Sequence, residues 1–204
     1  MEKLKRELAG YGRKIFAKKL VIGSGGNISA RAGEKIYIKA SGVSMESSRP
    51  SDYNEVDLKT GKAVCHGKRC SVEIPMHLAC YRARPDIGAV VHTHPVYGTI
   101  LGIMGVKLGY ISYEFMHTMR SEVPTLKYKS SGSVALADAV GKAIKKYNGA
   151  MLKNHGTIVV GKDMKEAYER ALALERAAKV YILSGLSGRV SSIPKGELKC
   201  LLKH

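Results

Sequence analysis

The sequence predicts an α/β fold of one domain and three layers, with a mixed, mostly antiparallel central sheet covered by helices. Three observations predict it. Stretches with helical periodicity alternate with short apolar runs of strand type along the chain. Several of those runs are joined by turns that leave room only for hairpins, which excludes a purely parallel sheet. The 204 residues suit one hydrophobic core better than two. The domain is expected to span residues 1–185, followed by a polar tail at 186–204.

Leu4, Leu8, Tyr11, Ile15 and Phe16 recur at helical spacing among lysines and arginines, so residues 2–20 are expected to form an amphipathic helix. Gly23-Ser24-Gly25-Gly26-Asn27 breaks it. Ile28–Arg31 and Lys35–Lys39 read as strands around a turn at Ala32-Gly33-Glu34, and Ser41-Gly42 closes the second. Val56–Leu58 and Lys62–Cys65 read as a hairpin around Thr60-Gly61. Ser71 is placed to cap a helix reaching about Arg84, with Pro75 in its first turn. Gly88–His94 is a short, mostly apolar run of the buried-strand kind, ended by Pro95, and a helix follows to about Met104. Another helix is expected near Ser133–Lys146, then strands at Ala150–Lys153 and Thr157–Val160 around the tight turn Asn154-His155-Gly156. A last long helix runs from about Met164 to Ser184, with Gly185 as its stop.

Composition narrows the function classes. Apolar and charged fractions of 45% and 25% are those of a globular protein, which argues against wholesale disorder. No run of about 18 apolar residues is present, so no membrane span is expected. Met1–Glu7 is charged and lacks the apolar core of a secretory signal, and the expected location is cytoplasmic. The cysteines, Cys65, Cys70, Cys80 and Cys200, form no Cys-x-x-Cys pair, and are expected as free, structural thiols. The net charge of +17 is scattered, with no block of five or six like charges and no aromatic-basic RNA pattern. It suits an anionic substrate such as a sugar phosphate. A basic nucleic-acid-binding domain with incidental histidines is the remote alternative, and it predicts no stoichiometric metal.

His92 and His94 are two residues apart on an expected strand, so both rings project from one face and can converge on one ion. A catalytic zinc site needs about three protein ligands and an open position. His155, in its Asn-His-Gly turn, is the candidate third ligand, with Gly156 expected to let the backbone turn. His66, His77, His117 and His204 are read as packing or hydrogen-bonding residues. Glu73 lies in the expected first turn of its helix. There it is either a glutamate favoured by the helix dipole or a carboxylate aimed at the metal, where it could move a proton next to a bound carbonyl.

Gly26-Asn27-Ile28-Ser29, Ser41-Gly42, Ser71-Val72-Glu73 with His77, His92-Thr93-His94-Pro95 and His155-Gly156 occur in the order and spacing of the class II aldolases of fuculose-phosphate type, and the chain resembles that family from about residue 5 to 185. The same superfamily holds pentulose-phosphate 4-epimerases and methylthioribulose-phosphate dehydratases. The resemblance implies that His92, His94 and His155 hold one Zn2+ per subunit, a site three imidazoles could also offer to manganese, iron or cobalt. It implies Glu73 as catalytic acid/base, Asn27, Ser41, Gly42 and Ser71 as the substrate-phosphate loops, and Tyr113 as the proton donor to the departing aldehyde oxygen, reached across a subunit boundary, with Tyr110 as its fallback. It further implies a four-fold homotetramer with active sites between subunits, and reversible cleavage of a ketose 1-phosphate to dihydroxyacetone phosphate and an aldehyde. The epimerase pattern has an aspartate where this chain has Glu73, whereas the dehydratases share the glutamate. Two departures bear on the substrate: Val72 stands where the family often has a second serine, and the tail has no tyrosine.

Overall fold

A computed structural model describes residues 1–65, 67–194 and 196–198; His66, Cys200 and His204 lie outside the described residues. Eight strands form one sheet in the order β4-β3-β2-β1-β5-β8-β7-β6. These are β1 (Asn27–Ala32), β2 (Lys35–Lys39), β3 (Tyr53–Asp57), β4 (Ala63–Val64), β5 (Ala89–Thr93), β6 (Thr125–Leu126), β7 (Gly149–Leu152) and β8 (Gly156–Gly161). Every neighbouring pair is antiparallel except β6 with β7. The mixed, mostly antiparallel single-domain architecture expected from the hairpin spacing is therefore the one observed.

Helices α1 (Glu2–Ala17), α2 (Ile74–Ala83), α3 (Val96–Met104), α4 (Tyr113–Met119), α5 (Val134–Ile144) and α6 (Met164–Gly185) cover both faces. Alternation along the strands divides the core in two. Ile28, Tyr37, Val91 and Val159 face α1, α3, α4 and α6 through residues such as Leu8, Leu101, Phe115 and Leu174. Ile36, Ile38, Val90, Ile158 and Val160 face α2 and α5 through Leu78, Cys80, Leu136 and Val140. Each such aliphatic side chain, fully buried, contributes about 1.5–3 kcal/mol. The central strands are thus sealed on both sides, and what remains accessible is their ends.

Several local expectations are corrected. The first helix stops at Ala17 rather than residue 20, because Lys19 turns left-handed (φ 57°) and the Leu20 N–H returns to the Ile15 carbonyl. Helix α2 starts at Ile74, so Ser71 is not its cap; Ser71 Oγ instead accepts from the Glu73 N–H at 3.2 Å, and Glu73 itself occupies the cap position. Helix α4 was not foreseen. It is short, and its signal is only Ser112, whose hydroxyl accepts from the Phe115 N–H. Strand β6 is likewise too brief for a periodic signal. Cys65 and Cys70 are not free thiols: they are joined as a disulfide with Cα atoms 5.7 Å apart, while Cys80 is free and buried as expected. Beyond α6, the Ile193 N–H donates to the Tyr110 carbonyl at 2.8 Å, which returns part of the tail to the body. No helix among the described residues is long and apolar enough to cross a membrane.

Candidate metal centre and active site

The antiparallel order brings the chemistry-bearing residues to one end of the sheet. Strand β1 starts at Asn27, directly opposite His92 near the end of β5, and Thr93 pairs with Thr157 near the start of β8. The β2 end carries Lys39 and leads into Ser41-Gly42, and the β7–β8 turn carries His155. Ser71 and Glu73 arrive from the segment before α2. Asn27, Lys39, Ser41, Gly42, Ser71, Glu73 and His155, together with Gly26, Val72, His94 and Ser131, line a cavity of about 190 Å³, with His92 buried in its wall.

Two glycines permit this convergence. Gly26 has φ +65°, and a Cβ there would lie 2.7 Å from the His92 carbonyl and from Val21 Cγ1. At Gly156 a Cβ would lie 2.3 Å from the Thr93 carbonyl and 2.8 Å from His94 Cδ2. Gly156 is therefore required by close approach of β5, not by the turn. The left-handed turn residue is Asn154, at φ 57°.

The three imidazoles meet with ring centroids 4.8–5.2 Å apart, and one ligand atom from each lies within 4.8 Å of the others. His92 Nδ1 lies 2.9 Å from the Thr157 carbonyl. A carbonyl can only accept, so Nδ1 carries a proton, and Nε2 is the nitrogen turned toward the other two rings and available to a metal. That atom is 3.0 Å from His94 Nε2. Nitrogens about 2.0–2.1 Å from a tetrahedral metal stand about 3.3 Å apart, so small ring rotations would close the set on a cation. Burial, followed by the charge of His92, lowers the pKa of both His94 (to about 4) and His155. Both are neutral at neutral pH, as metal ligation requires. The donor set fits a transition metal held by His92, His94 and His155.

Glu73 stands against this cluster, its Oε2 3.2 Å from His92 Nε2 and its Oε1 3.3 Å from His155 Nε2. Asn27 Nδ2 donates to Oε2 at 2.7 Å and Ser131 Oγ to Oε1 at 2.8 Å. Burial alone would raise the carboxyl pKa, but the His92 charge and hydrogen bond, with those of Asn27 and Ser131, hold it below the usual carboxylate range. Glu73 thus stands at the cap position of α2 with its carboxyl group turned to the His92 and His155 rings.

Two residues of this site had no sequence signal. Lys39 read only as a strand residue, yet it lines the cavity at 1% exposure. Its ammonium donates to the Ser24, Ala40 and Val43 carbonyls, and burial lowers its pKa to about 8. Ser131 read only as the approach to a helix; its contact with Glu73 joins residues 58 apart in the chain, which no local pattern records. His77, read as a packing or hydrogen-bonding residue, is fully buried against Asn27 and Ser29. Val72 projects at the cavity mouth and is exposed. Tyr113 is also exposed, at 59%, and does not line its own chain's histidine cavity. It opens a separate groove of about 470 Å³ between α4 and α6, with Phe115, His117, Leu172, Arg176 and Val180.

Comparison with known proteins agrees with this geometry. The profile of the Class II Aldolase and Adducin N-terminal domain family matches residues 6–182. An L-fuculose phosphate aldolase of Methanocaldococcus jannaschii is 34% identical over 84% of this chain and 92% of its own. A 5-deoxy-D-ribulose 1-phosphate aldolase of Bacillus thuringiensis serovar kurstaki is 31% identical over 100% of this chain and 95% of its own. Among solved structures, an L-fuculose 1-phosphate aldolase superposes with a TM-score of 0.93 at 28% identity, covering 100% of this chain and 96% of that one. The chain belongs to the class II aldolase family, whose members are metal-dependent lyases.

Proposed function

We propose that the protein reversibly cleaves a ketose 1-phosphate to dihydroxyacetone phosphate and an aldehyde, with Zn2+ held by His92, His94 and His155. The observation that carries this reading is the Glu73 carboxyl group, buried and within 3.3 Å of a ring nitrogen of both His92 and His155. Zinc bound to the three imidazoles would supply Lewis-acid polarisation of the substrate carbonyl, enough to bring an adjacent C–H within reach of a carboxylate base. Glu73 removes that proton in the condensation direction and returns it in cleavage. Ser41, Gly42, Ser71 and Asn27, which line the same cavity, receive the phosphate, with the buried Lys39 supplying positive charge.

Tyr113 protonates the departing aldehyde oxygen in a neighbouring subunit's site. Its exposure, and the apolar groove it shares with α6, support a closed homotetramer of four-fold symmetry with active sites between subunits. The net charge of +17 helps collect an anionic substrate.

A fuculose 1-phosphate-like ketose is the first substrate reading. A 5-deoxypentulose 1-phosphate is the second. It is favoured because the deoxyribulose-phosphate aldolase matches the whole chain, tail included, and because the tail after α6 has no tyrosine. The test is aldol cleavage across a panel of ketose 1-phosphates, with and without chelator, with all products identified. Chelator-sensitive release of dihydroxyacetone phosphate is expected. A 4-epimer or a dehydrated ketone as sole product would move the protein to the epimerase or dehydratase branch. The Glu73→Gln variant is expected to lose about 10²–10⁴-fold in rate, and full activity in that variant would remove Glu73 from the role.

A further inference from the structure

Behind Glu73 runs a line of buried polar side chains, of which the reaction above uses only Asn27. Tyr81 OH lies 2.8 Å from Ser29 Oγ, and Ser29 Oγ lies 2.7 Å from His77 Nδ1. His77 Nε2 meets Asn27 Oδ1, and Asn27 Nδ2 meets Glu73 Oε2. Ser29, His77 and Tyr81 are all buried. Buried polar groups of this kind are retained only when each is satisfied, and here each satisfies the next.

The proton order follows from the carboxylate outward. Asn27 Nδ2 donates to Glu73 Oε2, which leaves the Asn27 carbonyl facing His77. That carbonyl can only accept, so His77 carries its proton on Nε2. Burial, followed by the charge of His92, keeps the ring neutral, with its pKa lowered to about 3. Nδ1 is therefore a bare acceptor, the Ser29 hydroxyl must donate to it, and the Ser29 oxygen accepts from Tyr81. Reversing any one link sets two donors or two acceptors face to face. A flipped Asn27 would aim its carbonyl oxygen at Glu73 Oε2.

We infer that His77 is a positioning residue for proton transfer at Glu73, acting by locking the Asn27 amide with its donor side toward the carboxylate. This rests on the reading of Glu73 as the proton-transfer group. It gives Asn27 a second duty beside the phosphate loop: its Nδ2 spans 3.4 Å to Ser71 Oγ on one side and 2.7 Å to Glu73 on the other. His77 thereby couples the carboxylate's position to the cradle that receives the phosphate.

The experiment follows solvent deuterium exchange into dihydroxyacetone phosphate, without aldehyde, by the zinc-loaded enzyme at equal metal content. His77→Leu is expected to slow the exchange about 10–100-fold, the range for a group that orients a reacting residue, with little change in KM. His77→Gln can still accept from Ser29 and donate to Asn27, and is expected to recover most of the rate. In an Asn27→Ala background His77→Leu should cost almost nothing more, because the effect travels through the amide. Equal loss in Leu and Gln, or the same factor in the Asn27→Ala background, would overturn the inference in favour of packing. Should His77→Leu not fold, Ser29→Ala serves instead; it frees Nδ1 and is expected to slow exchange several-fold, and a wild-type rate overturns the proposal. Glu73→Gln in the same assay separates the two readings: if it exchanges normally the base assignment fails, and if only it is impaired the positioning role fails. A second readout needs no activity. In the metal-free protein, 1H–15N correlation should show His77 neutral and protonated on Nε2 throughout pH 5–9, and an Nδ1–H tautomer would overturn the proposal.

Discussion

The histidine cavity and the α4–α6 groove are built in opposite ways on the same chain. The cavity is small and polar, and its working groups are held by strand ends, by two close-packed glycines and by hydrogen bonds reaching across the sequence. The groove is more than twice as large, lies between two helices, and carries at its edge the exposed Tyr113, stacked on His117. The difference teaches where each half of the reaction is prepared. The metal and base side is preorganised inside one chain, where rigidity serves electrostatic stabilisation. In the proposed function the aldehyde side is Tyr113 in this groove, completed by another copy of the chain.

The largest expected effect tests the cavity alone. His92→Ala and His155→Ala are each expected to purify without stoichiometric zinc and without cleavage activity, as read by metal analysis beside the assay; unchanged zinc content would dissolve the site. Tyr113→Phe comes next and separates the two regions. It should lower cleavage about 100-fold while leaving proton exchange into dihydroxyacetone phosphate intact, since that half-reaction needs no aldehyde. Leu172→Arg, in the groove, should reproduce the Tyr113 defect and shift the sedimentation profile to smaller species. A cleavage-competent monomer would break the comparison.

Lys39 sharpens the cavity side. Lys39→Met is expected to weaken competitive inhibition by inorganic phosphate about 10-fold through the loss of a buried positive charge beside the subsite. The sign with pH follows from its depressed pKa. Below about 8 the ammonium is charged and attracts phosphate, and above about 8 it loses the proton, so inhibition should weaken as pH climbs through that value in the wild type and not in the variant. A pH-independent inhibition constant in the wild type would exclude Lys39 from the phosphate subsite. The smallest effect belongs to Ser131→Ala. Removing one of the hydrogen bonds to Glu73 should cost about 2–10-fold in exchange rate, measured at saturating dihydroxyacetone phosphate.

Much of this was legible in the residues. The hairpins, the helical periodicities and the glycine breaks foretold β1, β2, α3, α5, β7, β8 and α6 within a few residues, because each is a local pattern with its own stop signal. The short α4 and β6 were not legible, since a two-residue strand and a seven-residue helix carry too little periodicity to stand above a loop. The same division runs through the site. His92 and His94 could be paired on a strand face, with His155 as candidate third ligand and Glu73 as one of two readings, whereas assigning the serine-glycine loops and Tyr113 took the resemblance to a known family. Lys39 and Ser131 stayed hidden because their significance lies in partners distant in sequence.

By itself, then, the sequence determined the elements and their chemistry: where strands end, where glycine interrupts, and which imidazoles and carboxylate are available. Only the tertiary structure decided their mutual orientation. The antiparallel register set Asn27 opposite His92, the close approach of β5 explained Gly156, and the buried line from Tyr81 to Glu73 acquired a direction. The physical reason is that burial makes every unsatisfied donor or acceptor costly, so proton positions and amide orientations are settled by which groups the fold brings face to face, and local sequence carries no record of that.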